Sequence, residues 1–170
     1  MLTPNKEIDG RAKTTKSLFS RTTNVSIHIK AKPTVVWKIL TNIEDFARWN
    51  STILLLSGNL NIGSKLNVKS NLDLEKKSIY YISHLDPPSK MVWTNGNRLL
   101  FKSLISYTID PYQENDSIFG MNEKLYGSLA PLILGYMPDF DETFSQFALD
   151  LKNEAEVIQK ANNLISSLKK

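Results

Sequence analysis

One carboxylate stands out as able to do chemistry. Residues 118–126 read as a last strand, and if it runs without a bulge Phe119, Met121, Glu123 and Leu125 share one face. A carboxyl group among apolar neighbours is pushed towards its neutral form. It can then hold a polar ligand group or exchange a proton as an acid or base. The competing reading pairs Glu123 with a basic residue at the rim, or turns it to solvent on a bulge. Glu123 is the one candidate for a catalytic role. Trp49, Trp93 and Tyr107 come next, because each joins a large apolar body to a polar handle and suits either a core or a ligand contact. Trp37, inside a short apolar stretch, reads as a structural anchor.

Other chemistries are poorly provided for. The chain has no cysteine, which removes disulfides, thiolate metal ligands and a cysteine nucleophile together. Its two histidines, His28 and His84, alternate with apolar strand residues and so point away from a core. A metal site would need more ligands at regular spacing, so no metal is expected. No nucleophile-elbow pattern occurs, and the seven glycines form neither a P-loop nor a dinucleotide fingerprint. No cofactor is expected.

The elements that would position these residues follow from periodicity. Residues 1–23 are polar and read as an extended arm, part of which could lie along the domain, with the folded domain over 24–168. Val25, Ile27 and Ile29 alternate as a half-buried strand. After Pro33, Thr34 can cap a short helix carrying Val35, Val36, Ile39 and Leu40, and a second short helix covers 43–49 with Asn42 as its cap. Strand signals then recur at 53–60, around Leu66 and Val68, and at 78–85, 91–93, 99–109 and 118–126, separated by Gly, Asn, Asp and Pro clusters. Consecutive strands without intervening helices form an antiparallel meander. From Pro138 the period changes. Phe140, Phe144, Phe147, Leu151, Ala155 and Ile158 step by three or four, the stripe of one long amphipathic helix running to Leu168. Such a helix must cover the only large apolar surface available, the sheet.

Composition bounds the partners. With 170 residues, 41% hydrophobic and 22% charged, the chain fits one ordinary domain. Its first twenty residues lack an apolar leader region, and no apolar run reaches the length of a membrane span. A cytoplasmic protein is the expectation. The net charge of +4 is spread along the chain, without the basic stripe that nucleic-acid binding calls for, so no nucleic acid is expected. The apolar segment 127–137, punctuated by Gly127, Pro131 and Gly135 and ending on Met137, could touch a membrane or a protein partner.

The order strand, two helices, meander, long helix resembles the SRPBCC group of START-related, Bet v 1-like and polyketide cyclase/dehydratase-like proteins. The pieces that carry the likeness are VSIHIKAKPTVVWKILTNIEDFARWN (25–50), LSGNLNIGSKL (56–66), SHLDPPSKMVW (83–93), EKLYGSLAPLI (123–133) and FSQFALDLKNEAE (144–156). The resemblance implies an α+β helix-grip fold: a curved antiparallel sheet around a long C-terminal helix, with an apolar pocket between them. It implies a ligand set of Trp49, Val68, Trp93, Phe101, Ile105, Tyr107, Met121, Glu123, Phe140, Phe144 and Phe147, and it puts 127–137 beside the pocket entrance. The first expectation is binding or transport of a small hydrophobic, lipid-like or polycyclic molecule without catalysis. The alternatives are a cyclase or dehydratase using Glu123, and a protein-interaction module.

Overall fold

The computed structural model describes residues 8–72, 74, 75 and 77–168. In chain order its elements are β1 (Lys13–Ser17), β2 (Ser20–Ile29), α1 (Pro33–Thr41), α2 (Phe46–Trp49), β3 (Ile53–Gly58), β4 (Lys65–Ser70), β5 (Ser78–Asp86), β6 (Lys90–Asn97), β7 (Phe101–Tyr112), β8 (Asp116–Tyr126), α3 (Ala130–Ile133) and α4 (Asp141–Leu168). Single 3-10 turns lie at Ile43–Asp45 and Leu134–Tyr136. The strands form one antiparallel sheet in the order β1-β2-β8-β7-β6-β5-β4-β3. The opening long strand therefore pairs with the last one, and the others follow as a meander. This is the helix-grip α+β fold.

The sheet begins earlier than the sequence pattern predicts. Residues 13–17 and 20–23, expected in an arm, are strand: β1 pairs with β2 from Lys13↔Asn24 to Ser17↔Ser20, and β2 pairs with β8 from Ser20↔Tyr126 onward. Their side chains show no apolar alternation because main-chain hydrogen bonds to β8, rather than burial of an apolar face, hold the start of β2. Residues 1–7 of the expected arm lie outside the described residues. Two caps also differ. Helix α1 opens directly at Pro33 behind Lys32, with no side-chain cap from Thr34, since proline supplies the helical φ and has no N–H to satisfy. Asn42 likewise gives no cap bond to the turn that follows it.

Helix α4, 28 residues long, spans about 42 Å at 1.5 Å per residue. It starts at Asp141, whose N–H is accepted by Asp139 Oδ1 at 3.3 Å. Phe144, Phe147, Ala148, Leu151 and Ala155 are buried along one stripe. Phe147 is the centre of the contact: its ring meets those of Phe46, Trp49, Tyr107 and Phe119 at 5.9–6.0 Å. The polar flank of α4 binds the first part of the chain. Glu156 accepts from the N–H of Lys30, Gln159 from that of Lys32, and Asp150 from Ser51, while Arg48 bridges Asp45 and Glu154. Among the described residues, no helix is long and apolar enough to cross a membrane.

Candidate functional site

Strand register places the inward side chains in rows across the sheet. One row reads Ile82, Trp93, Ile105, Glu123 and Thr23 along successive Cα partners. On one side lies Met91, Tyr107, Met121 and Val25; on the other, Asn95, Ser103, Leu125 and Arg21. β8 runs without a register shift through Glu123, so period-2 alternation delivers the carboxylate to the inner face. There it is buried, at 5% exposure.

Between this face and α4 lies a cavity of about 390 Å³. Ten of the eleven residues expected around a ligand line it: Val68, Trp93, Phe101, Ile105, Tyr107, Met121, Glu123, Phe140, Phe144 and Phe147. The three phenylalanines wall the interior without filling it. Trp49 is the exception. It packs with Phe46 at 4.6 Å and edge-on to Phe147 at 5.9 Å, because α2 docks beside α4 and spends its tryptophan on that joint. Tyr136 and Met137, from the segment 127–137, also line the cavity. Tyr136 is 93% exposed as well, which marks the mouth.

A buried hydroxyl and a carboxylate pair in the cavity wall. Ser103 Oγ donates to Glu123 Oε1 at 2.6 Å, and Ser103 also acts on the Tyr80 phenol, pulling it down against burial. Burial pushes the Glu123 carboxyl up to about 6, against the Ser103 bond and the charge of Arg21, which both pull it down. Burial raises both tyrosine phenols, and the carboxylate adds to the effect for Tyr80 and Tyr107 alike. Both therefore stay protonated donors. Arg21, 2% exposed, donates through Nη1 to the Pro138 carbonyl at 2.9 Å and lies over the Phe140 ring at 4.2 Å. It acts on Glu123 through its field. Six buried side-chain donor atoms have no partner among the described residues: Trp93 Nε1, Tyr107 Oη, the Nε and Nη2 of Arg21, Trp49 Nε1 and Asn50 Nδ2. Trp93 and Tyr107 both line the cavity, with their rings 4.9 Å apart.

Arg21, Tyr80 and Ser103 carry this polarity, and sequence patterning assigned none of them a role. Arg21 lies in a stretch read as an arm. Tyr80 shares the Ile82 face and is visible by alternation. Ser103 sits on the inward face with Phe101 and Ile105, where a lone serine among apolar residues is the available signal. His28 lies on the outer face, half-buried, 2.7 Å from Asp116 Oδ2 and edge-on to Tyr112. His84 is exposed.

No family model matches the chain, and no curated protein matches it. Solved structures do. A START superfamily protein from Mycobacterium smegmatis superposes with a TM-score of 0.61 at 14% identity, over 81% of this chain and 98% of that one. A norcoclaurine synthase point mutant from Thalictrum flavum, in complex with a transition-state analogue, gives 0.63 at 8% identity, over 83% and 97%. The di-domain ARO/CYC StfQ of the steffimycin biosynthetic pathway gives 0.60 at 10% identity, over 85% of this chain and 52% of that one. The chain thus has the helix-grip fold of START, Bet v 1-like and polyketide cyclase proteins. At these identities the likeness extends to the fold alone.

Proposed function

We propose that the protein binds or carries a small hydrophobic molecule, lipid-like or polycyclic, in the cavity between the sheet and α4. The observation that supports this is a largely apolar cavity of about 390 Å³, within the usual range for small-molecule sites, with a buried carboxylate, Glu123, in its wall. Burying a guest there contributes about 25 cal/mol per Å² of apolar surface. Orientation would come from the few polar groups. Trp93 and Tyr107 line the cavity, and their unpartnered Nε1 and Oη, which have no accessible surface, would reach an oxygen acceptor on the guest only after a side-chain rearrangement. Glu123 offers an acceptor when ionised and a donor when protonated.

A second reading, an enzyme of cyclase or dehydratase type, draws on one observation. The Glu123 carboxyl, at about 6, is poised for proton transfer near neutrality. Norcoclaurine synthase and the ARO/CYC StfQ share the fold, and the chemistry in each belongs to that protein. One experiment addresses both readings. Protein purified without detergent is examined by native mass spectrometry and titrated with 8-anilinonaphthalene-1-sulfonate and a panel of fatty acids and polycyclic phenols. The expected result is a co-purified mass or saturable one-to-one uptake. No uptake across the panel would discard the carrier reading, and a change in the mass of the bound compound that depends on Glu123 would favour the enzyme.

A further inference from the structure

Three loops that are far apart in sequence meet at the cavity mouth, and each presents apolar side chains to solvent. The β1–β2 turn carries Leu18 and Phe19, and the β6–β7 turn carries Leu99 and Leu100. The segment after β8 adds Leu129, Leu132 and Tyr136. Main-chain bonds join them: Gly127 N–H to the Phe19 carbonyl at 3.4 Å, Ser128 N–H to that of Leu99 at 3.2 Å, and Leu129 N–H to that of Leu100 at 2.9 Å. Gly127 makes the close approach feasible. Its φ is +147°, and a Cβ there would stand 2.3 Å from the Leu100 carbonyl oxygen. The result is one apolar tip, with Leu99 at 77% and Leu132 at 69% exposure. An exposed cluster of this kind marks an interaction surface.

The charge around the tip indicates the partner. Lys16, Arg98, Lys102 and Lys124 lie on or beside the same loops, and none of them forms an ion pair among the described residues. Asp141 accepts from Thr14, and both Asp139 and Asp141 act on the buried Arg21. Lys124 also lies over the Tyr126 ring at 5.5 Å, and apolar side chains at the centre with cations around them that pair with no acid match the interface of a bilayer bearing anionic headgroups. A mouth at the centre of the contact would also let a water-insoluble guest pass between cavity and membrane without crossing water. That last argument rests on the carrier reading; the first two do not.

We propose that this tip docks on the surface of an anionic lipid bilayer. Co-sedimentation with phosphatidylcholine vesicles, with and without phosphatidylglycerol, tests it. The full chain should bind the anionic vesicles and release at high salt. The double substitution Leu99→Asp and Leu132→Asp should weaken binding by at least about tenfold, and Arg98→Gln by about fivefold. Neither leucine lines the cavity, so the variant should keep its circular dichroism and its affinity for an apolar probe. Probe uptake lost in every form while vesicle binding persists would sink the carrier reading and leave the docking surface standing. An unmodified chain that ignores anionic vesicles, or a double variant that binds them as well, overturns the proposal. So does self-association abolished by the aspartates without any vesicle binding, which would make the tip a protein contact.

Discussion

At the scale of single residues, Glu123 is the group on which the cavity's chemistry turns. Alternation along β8 made it legible, because a strand of regular register sends every second side chain to the same face. Arg21, which opposes the effect of burial on that carboxyl, was not legible. Its burial depends on Pro138 and Phe140, more than a hundred residues away, and no local pattern encodes such a contact. The raised carboxyl has a consequence for stability. The folded chain holds this proton more tightly than the unfolded one, so it binds more protons between pH 4.5 and about 6. The contribution is complete below that window and is lost as pH rises through it. At about 1.4 kcal/mol per pH unit, the loss is about 2 kcal/mol. Urea denaturation at a series of pH values should show this decline in the native sequence, and Glu123→Gln should flatten it across the same window. An unchanged profile in the variant would assign the titration elsewhere.

At the scale of elements, the sequence showed what burial writes into it. The meander and α4 were legible because an apolar face must recur at the period of its backbone. The opening hairpin was not, since Lys13 to Ser17 have mostly exposed side chains and are held by the main chain of β2. The three-loop tip was equally hidden, because sequence places apolar residues in turns without saying which turns meet. Helix α4 illustrates both sides. Its stripe is buried through Gln159, and every described residue from Ala161 on is exposed. Truncation after Lys160 should therefore change stability by no more than about 0.5 kcal/mol, the range of surface changes. Leu151→Ala, at a fully buried site, should cost about 2–5 kcal/mol. Equilibrium urea unfolding of the two variants compares them directly. A truncation as costly as Leu151→Ala would mean that the last turns stabilise the domain in a way their exposure does not reveal.

At the scale of the whole molecule, the question is why a well-formed core keeps a void at its centre. An unfilled apolar space costs stability, about 24 cal/mol for each Å³ left by lost packing, so a fold selected for stability alone would close it. Here the bent sheet and α4 hold their walls apart because the ends of the helix are fixed independently. Phe140 and Arg21 close one end, and the bonds of Glu156 and Gln159 to the main chain before α1 close the other. Stability and ligand capacity should then trade against each other within the cavity. Ile105 lies in the same cross-strand row as Trp93 and Glu123 and lines the space. Enlarging it to phenylalanine should raise the melting temperature by about 2–4 °C, the shift expected for about 1 kcal/mol in a domain of this size. The same variant should bind 8-anilinonaphthalene-1-sulfonate at least about tenfold more weakly, since the added ring occupies the guest's volume. Differential scanning calorimetry and probe titration read the two effects separately. A variant that melts earlier and binds the probe unchanged would show that the wall at Ile105 has no room to give, and that the probe lies elsewhere.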